Sequence, residues 1–215
     1  MNYSEAIQYL FNLEQFGWKL GMERMHALMT DLGQPYLYFA SIHIAGTNGK
    51  GSVSAMLASI LRHSGYKTGL YTSPHLVDVR ERIQINNQCI SSSDFLSLIV
   101  RLKPFLQKHG CTFFEALTAI AFCHFKNEKV DIAVVEVGLG GRLDATNVVK
   151  PLLSIITNIS LDHTEHLGQK LSYIAAEKAG IIKKGVPCVV GDIPAEARET
   201  IITMAEKLNS PLMPV

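Results

Sequence analysis

A glycine-rich segment with a single lysine has the clearest chemistry in this sequence. It follows the mostly apolar run 42–45, precedes a helical pattern, and reads Gly46-Thr47-Asn48-Gly49-Lys50-Gly51-Ser52. In a strand–turn–helix arrangement, glycines let backbone N–H groups approach phosphate oxygens, and a lysine adds a charge that can follow a transferring phosphoryl group. The pattern predicts a polyphosphate-binding loop. The simpler alternative is a glycine-rich turn with a solvated lysine.

The segment departs from the usual phosphate-loop pattern G-x-x-x-x-G-K-[ST], in which the hydroxyl after the lysine holds Mg²⁺. Gly51 follows Lys50 here, Ser52 comes one place late, and Ile44 stands where the first glycine would be. If this loop binds Mg-ATP, some Mg²⁺ ligands are therefore expected from elsewhere in the chain.

Three polar residues outside the loop are candidate metal ligands. Glu136 lies inside the apolar run 133–137, and a buried carboxylate is costly unless it is paired or bound to a cation. An ion pair with a lysine or arginine is the alternative. Ser73 could supply the missing hydroxyl, or it could be a turn residue before Pro74. His163 could ligate the metal or orient a phosphate, or it could do neither.

Further polar positions have structural as well as functional interpretations. Thr112 and Glu115 fit a capping box at the start of a helix. Arg142 and Asp144 lie in a glycine-rich loop that a ligand could approach closely; they either bind substrate or pair with each other. Lys178, among small residues on a predicted helix, is by default a solvated surface charge.

The composition bounds the class of protein. The chain has 215 residues, 47% hydrophobic and 18% charged, with a net charge of +1, so no overall field points to nucleic acid or to a membrane surface. The scattered cysteines indicate reduced thiols. The N-terminus lacks signal-peptide character, and no apolar stretch reaches the ~20 residues that span a bilayer. We predict a cytoplasmic protein of one large domain or one and a half.

Short β-branched runs alternate with helical patterns, which predicts an α/β fold with a mostly parallel sheet flanked by helices. Strands are predicted at 41–45, 68–71, 82–86, 131–137, 152–157 and 186–190. Helices are predicted at 3–13, 22–32, 53–63, 94–109, 113–126, 171–179 and 195–208. The polar segments follow strands, and open parallel sheets bind ligands at the carboxyl ends of their strands. We therefore expect these segments to converge on one edge of the sheet.

Together these residues resemble the folylpolyglutamate synthase and dihydrofolate synthase family of the Mur ligase superfamily, over essentially the whole chain. The motifs that carry the resemblance are 46–52, 71–76, 80–83, 136–147 and 161–163. Peptidoglycan Mur ligases look different in the stretch 73–82 and are the weaker match. The resemblance implies a nucleotide-binding domain like the central domain of Mur ligases.

The resemblance also implies roles for individual residues. ATP would bind at Gly46, Thr47, Asn48, Gly49, Lys50, Gly51 and Ser52. Mg²⁺ would bind at Ser73, Glu136 and His163, and the catalytic set would be Lys50, Glu136, His163 and Lys178. A carbamylated Lys178 would support a second Mg²⁺. The acceptor pocket would involve Arg82, Thr112, Phe113, Phe114, Glu115, Leu143, Asp144 and Ala145.

The implied reaction is ATP-dependent amide formation. The γ-phosphoryl group would pass to a carboxylate of dihydropteroate or folate, and the glutamate amine would displace phosphate from the acyl phosphate. Catalysis would be mostly positioning and charge neutralisation. The expected partners are therefore small molecules (ATP, glutamate and dihydropteroate or folate), and we expect neither nucleic acid nor membrane.

Members of the family that this sequence resembles usually continue beyond the position of Val215 into a smaller α/β domain. The resemblance therefore implies that 1–215 is an ATP-binding domain incomplete at its C-terminal end, without the second domain. Either a separate chain supplies that domain or the protein is a monomer. Two alternatives stay open: a non-catalytic or partner-dependent nucleotide-binding fragment, and a peptidoglycan-type ligase.

Overall fold

The structure is a computed structural model that describes residues 1–13, 21–161 and 170–215. The helices of this part of the chain are α1 (Tyr3–Asn12), α2 (Glu23–Asp31), α3 (Lys50–His63), α4 (Ser92–His109), α5 (Phe113–Asn127), α6 (Leu171–Ala179) and α7 (Ala195–Lys207). The strands are β1 (Ala40–Ala45), β2 (Thr68–Tyr71), β3 (Ile83–Ile85), β4 (Gln88–Cys89), β5 (Ile132–Glu136), β6 (Leu153–Ile156), β7 (Cys188–Val190) and β8 (Leu212–Pro214). Short 3-10 turns lie at Pro35–Leu37, Val79–Arg82 and Ala145–Val148. None of the described helices is long and apolar enough to cross a bilayer.

The strands form one sheet in the order β4-β3-β2-β5-β1-β6-β7-β8. Strands β3 and β4 are antiparallel to their neighbours, and the other pairs are parallel. The register places Ile44 beside Glu136 on β5, and Ala45 beside Ile156 on β6. The predicted mostly parallel sheet flanked by helices is therefore confirmed, and β1 and β5 lie at its centre.

Helices cover both faces of the sheet, because successive residues of the central strands point apolar side chains to opposite faces. Val134, with Ile42 and Ile44, faces α3. Val135 and Ala133 face the other side, in a cluster with α1, α2, α4 and α5. On that second side, α6 and α7 pack against Ala45 and Ile156. Burial on both faces explains why β1 and β5 read as nearly continuous apolar runs.

Helix α3 begins at Lys50, three residues earlier than predicted from its apolar pattern. Gly49 is the N-cap and has a φ of 78°, a left-handed conformation that glycine adopts without steric cost. The first backbone N–H groups of a helix have no partner inside it. Because the helix starts at Lys50, those groups belong to the glycine-rich loop itself.

Two edge strands escape prediction from sequence. Strand β4 has two residues, too few for a periodic pattern, and β8 includes Pro214, which reads as a loop signal. Proline is tolerated in strands at sheet edges, where one side of the backbone needs no donor. Both strands lie at the two ends of the sheet. They therefore do not change the prediction that the polar segments meet at the carboxyl ends of the central strands.

Candidate functional site

The loops after four neighbouring parallel strands meet at one edge of the sheet, as the sequence predicts. The Asn48 backbone N–H donates to Asn158 Oδ1 at 2.8 Å, which joins the loops after β1 and β6. The Ser73 N–H donates to Glu136 Oε2 at 3.1 Å, which joins β2 to β5. A Cβ added to Gly51 would lie 3.7 Å from the same carboxylate oxygen. The glycine-rich loop, Ser73 and Glu136 are therefore neighbours.

The glycine-rich loop is held in shape by the residues that follow β6. The Thr47 N–H donates to the Asn158 carbonyl at 3.0 Å, and the Thr157 hydroxyl donates to the Asn48 carbonyl at 2.6 Å. Thr47 Oγ1 in turn accepts from the Ser160 N–H at 3.1 Å. Thr157 is a site residue that sequence reasoning missed. The sequence feature that could have identified it is the polar pair Thr157-Asn158 at the end of a predicted strand, where ligands of parallel sheets bind.

Gly46 is the position in this loop where a side chain fits least. Its φ is +155°, and an added Cβ would lie 1.9 Å from Thr157 Oγ1. We expect Gly46→Ala to displace the loop and weaken binding of a non-hydrolysable ATP analogue by about 10-fold, since strain of ~1–3 kcal/mol is typical at such sites. Isothermal titration calorimetry measures this change.

The matched control is Gly65→Ala near the other end of α3. Gly65 also has a positive φ, of +92°, but nothing lies within 4 Å of an added Cβ. This variant carries the backbone cost without the clash, so it should bind the analogue like the wild type. Equal binding by wild type and Gly46→Ala would show that the loop tolerates a side chain, contrary to its geometry.

Lys50 folds back over the loop that precedes it. Its ammonium donates to the Gly46 carbonyl at 2.9 Å and to the Thr47 carbonyl at 3.0 Å. Both acceptors are neutral, so an anion that binds in the loop would meet the charge of Lys50 directly. This arrangement favours the phosphate-binding interpretation over a solvated lysine in a simple turn.

Glu136 ends β5 and is 3% exposed. Burial raises the pKa of its carboxyl, while the Ser73 N–H and the charge of Lys50 oppose that rise. No ion pair joins Glu136 to a lysine or arginine within the part of the chain that the structure describes. A buried carboxylate with one backbone donor is a group that a divalent cation would stabilise.

The donor set around Glu136 fits Mg²⁺ better than a metal that needs several side-chain ligands. Across the described residues, no group of three or more His, Cys, Asp or Glu side chains could hold a metal. Mg²⁺ often takes one or two carboxylates and completes its shell with water and phosphate oxygens. Ser73 lies beside Glu136, to which its backbone N–H donates, whereas His163 lies outside the described residues. The metal-ligand roles predicted for Ser73 and His163 stay predictions.

Arg82 and Phe113, both predicted to contact the acceptor, lie together. Arg82 is 9% exposed, and its guanidinium carbon lies 5.4 Å from the centroid of the Phe113 ring. Its Nε donates to His75 Nδ1 at 2.9 Å, which ties the loop after β2 to the start of β3. Phe114 packs against Tyr71 at 6.0 Å between ring centroids. Arg82, Phe113 and Phe114 thus lie side by side at the start of α5, and we call this surface the acceptor wall because all three residues are predicted to contact the acceptor.

Thr112 and Glu115 form the capping box that the sequence predicts. The Glu115 N–H donates to Thr112 Oγ1 at 3.3 Å, and the Thr112 N–H donates to Glu115 Oε2 at 2.7 Å. Glu115 is 5% exposed and also pairs with Arg24 at 3.2 Å. These contacts give both residues a structural role at the start of α5, next to Phe113 and Phe114.

Asp144 organises the glycine-rich loop after β5. Its carboxylate accepts from the backbone N–H groups of Gly138 at 3.0 Å, Leu139 at 2.9 Å and Thr146 at 2.9 Å. Burial raises the pKa of Asp144, and these hydrogen bonds oppose that rise. Beside it, Leu143 is half-buried. Ala145 and Asp144 are buried, so the predicted acceptor segment has its carboxylate turned inward.

The predicted alternative that Arg142 pairs with Asp144 is wrong. Arg142 forms an ion pair with Glu177 on α6 at 2.6 Å, and its backbone N–H donates to the Glu177 carbonyl at 2.8 Å. Glycine at position 180 permits this approach, since an added Cβ there would lie 2.3 Å from the Arg142 Cβ. The arginine is therefore held to the neighbouring helix, and Asp144 binds backbone donors instead.

The prediction that Lys178 is by default a solvated surface charge is also wrong. Lys178 lies on α6 and is 4% exposed. A Cβ added to Gly141 would lie 3.2 Å from the Lys178 Cα, so the helix packs directly on the glycine-rich loop. The small residues around Lys178 allow this close packing, which buries the lysine near the end of β5.

A glycine-rich loop after a central strand, with a buried carboxylate beside it, lies at one edge of this α/β domain. The chain belongs to the family described as the Mur ligase middle domain, whose model matches residues 44–211. The superfamily that the sequence motifs indicate is therefore confirmed.

Individual relatives show which members of that family this chain is similar to. The dihydrofolate synthase/folylpolyglutamate synthase of Bacillus subtilis is 42% identical over 97% of this chain and 50% of its own length. The crystal structure of folylpolyglutamate synthase from Thermotoga maritima matches with a TM-score of 0.91 and 43% identity, over 99% of this chain and 49% of that one. A structure described as an FPGS-AMPPCP-folate complex matches with a TM-score of 0.93 and 35% identity, over 100% of this chain and 54% of that one. The resemblance to the folate family is confirmed, and the chain spans about half the length of these relatives.

Proposed function

We propose that this chain is the ATP-binding and acceptor-binding part of a ligase that adds L-glutamate to dihydropteroate or folate. The observation that carries the proposal is the shared position of the glycine-rich loop, Ser73 and Glu136 at one edge of the sheet. The solved relative with AMPPCP and folate supports the choice of nucleotide and acceptor. The named B. subtilis relative supports the choice of reaction.

The residues divide between the two substrates. The backbone N–H groups of the loop and of the first turn of α3 would bind the ATP phosphates, with Lys50 placed to follow the γ-phosphoryl group. Ser73 and Glu136, with His163, would hold Mg²⁺, which supplies neutralisation of phosphate charge when bound. Phe113, Phe114, Arg82 and the segment 143–145 would orient the acceptor.

In the proposed reaction an acceptor carboxylate oxygen attacks the γ-phosphorus, and the bond to the ADP oxygen breaks. The glutamate amine then attacks the acyl carbon, an amide forms, inorganic phosphate leaves and the amine loses a proton. Neither step needs an oxidant or reductant. The protein contributes alignment and charge compensation, which is how phosphoryl transfer is generally catalysed.

We also propose that Lys178 is carbamylated and supports a second Mg²⁺, as the resemblance implies. Its position supports this, because Lys178 is 4% exposed on a helix that packs against the loop after β5, the strand that ends at Glu136. Intact-protein mass spectrometry with and without bicarbonate would test the modification. A cytoplasmic location also stays a prediction.

The alternative is the partner-dependent nucleotide-binding fragment that the sequence leaves open. The chain spans about half of each relative described above, so turnover by this chain alone is itself a proposal. A single-turnover assay with ATP, glutamate and acceptor separates the two: glutamylated product from the chain alone supports a self-sufficient ligase. Binding of nucleotide and acceptor without product supports the partner-dependent form.

The acceptor class is tested by equilibrium dialysis of the chain loaded with Mg-AMPPCP. We expect dihydropteroate or folate to bind and a UDP-muramyl peptide not to bind. The reverse selectivity would overturn the folate assignment and favour a peptidoglycan-type ligase.

A further inference from the structure

A buried histidine on the central strand lies outside every motif discussed so far. His43 is 0% exposed on β1, where its neighbours in the sheet are Val135 on β5 and Ser154 on β6. Its Nε2 lies 2.9 Å from Thr146 Oγ1, and both side chains are fully buried. The strand reaches the glycine-rich loop at Gly46, three residues later. His43 therefore connects the base of the phosphate loop to the segment after β5.

The direction of each hydrogen bond in this connection follows from the groups present. Backbone N–H groups donate to both oxygens of Asp144, so its carboxylate acts as the acceptor. The Thr146 hydroxyl donates its one hydrogen to Asp144 Oδ1. The hydroxyl oxygen must then accept from His43 Nε2–H. Burial lowers the pKa of His43 to about 3, so the imidazole is neutral near pH 7.

Packing alone does not account for a histidine at this position. His43 Nδ1 is buried and has no hydrogen-bond partner among the residues described. A buried polar atom without a partner costs ~1–3 kcal/mol, and a leucine would fill similar space without that cost. The bond from Nε2 to Thr146 is the interaction that a leucine would lose.

The far end of the connection is a turn at the proposed acceptor site. Asp144 holds the N–H groups of Gly138 and Leu139, which come two and three residues after Glu136, the last residue of β5. A Cβ added to Gly138 would lie 2.4 Å from the Phe114 ring, so this turn sits against an aromatic residue of the acceptor wall. A shift of Asp144 would move the turn relative to that wall.

The other side of the same segment is braced separately. The Lys183 ammonium donates to Asn147 Oδ1 at 2.7 Å, and the Asn147 amide donates to the Gly180 carbonyl at 3.1 Å. These contacts tie the segment to the end of α6 and the chain beyond it. The contact with His43 ties it to β1, the strand that bears the phosphate loop.

We propose that His43 and Thr146 are positioning residues that fix the Gly138–Leu139 turn relative to the phosphate loop, and thereby set acceptor affinity. This inference rests on the proposed function, because the acceptor is taken to be a folate-type molecule. Neither residue needs to touch substrate. Their action passes through Asp144.

The test compares two pairs of variants in the Mg-AMPPCP-loaded chain. Thr146→Val and His43→Leu remove the hydrogen bond, whereas Thr146→Ser keeps the hydroxyl and His43→Gln keeps an N–H near the Nε2 position. We expect the first two to weaken folate binding by ~10-fold, the value of about one hydrogen bond, with AMPPCP affinity changed by less than about 2-fold. Thr146→Ser and His43→Gln should bind folate with nearly the affinity of the wild type.

Amide hydrogen exchange at Gly138 and Leu139, without ligand, provides a readout independent of folate. Exchange should be faster in Thr146→Val than in wild type or Thr146→Ser. Absence of folate binding by the wild type would refute the proposed function while exchange still decides whether the chain of hydrogen bonds holds the turn. Wild-type exchange in Thr146→Val, or equal loss of AMPPCP and folate affinity, would overturn the positioning role. If Thr146→Val does not fold, His43→Leu decides both points, since it leaves the Thr146–Asp144 bond in place.

Discussion

Lys50→Ala is expected to weaken binding of Mg-AMPPCP by ~10²-fold, because truncating one partner of a charged hydrogen bond typically costs ~2–5 kcal/mol. The ammonium lies over the loop, bonded to the carbonyls of Gly46 and Thr47. Phosphoryl transfer should fall by ~10²–10³ wherever turnover is measured, the usual result of losing one preorganised charge stabiliser. Titration calorimetry and a phosphate-release assay measure the two effects.

The control for Lys50 is Lys184→Ala, which removes the same charge from an exposed position. It should bind the analogue like the wild type. A Lys50→Ala protein that binds Mg-AMPPCP and turns over at wild-type rates would rule out the phosphate-loop assignment. If both lysine variants lost the same affinity for Mg-AMPPCP, the effect would come from the change in net charge and not from the position of Lys50.

Glu136→Gln is expected to abolish the Mg²⁺ dependence of nucleotide binding and any Mg²⁺-dependent turnover. The glutamine keeps the shape of the side chain and an oxygen that can accept from the Ser73 N–H. It removes the negative charge that a cation needs. Measuring AMPPCP affinity across a Mg²⁺ titration should give a steep dependence in the wild type and a flat one in the variant. A retained dependence would remove Glu136 from the metal site.

The same carboxylate predicts a pH dependence. Burial raises the pKa of Glu136 above the ordinary 4.5, so the wild type should lose Mg²⁺-dependent binding at a higher pH than an ordinary glutamate would allow. Rising pH has the opposite effect on the stability of the metal-free protein: it favours Mg²⁺ binding but lowers the free energy of unfolding. The ionised buried form is disfavoured, so the free energy of unfolding falls as pH rises through the folded-state pKa. Glu136→Gln should lack both trends, as paired titrations and denaturant melts would show.

The parts of the site that the sequence predicts are those encoded locally. The glycine cluster around Lys50 identifies a strand–turn–helix unit, and the carboxylate ending an apolar run identifies Glu136. Parallel strands place the residues after them at one edge. That rule is enough to predict that Ser73 lies near Glu136, which the structure bears out through the bond to the Ser73 N–H.

The parts that sequence reasoning missed depend on distant packing. Arg142 pairs with Glu177 because α6 packs on the loop after β5, and no local pattern reveals that approach. His43 meets Thr146 from a strand about a hundred positions away, at 2.9 Å. Burial of Lys178 likewise follows from helix packing and not from its neighbours in sequence. The role predicted for His163 stays a prediction.

The most direct test of the central claim is a calorimetric titration of the purified chain with AMPPCP, with and without Mg²⁺, repeated in the presence of dihydropteroate. We predict Mg²⁺-dependent binding of the nucleotide and binding of the acceptor to the loaded chain. This result would mean that the loop, Ser73 and Glu136 form the nucleotide site within this chain. A folded chain that binds neither molecule would contradict the assignment of an ATP site to this edge of the sheet.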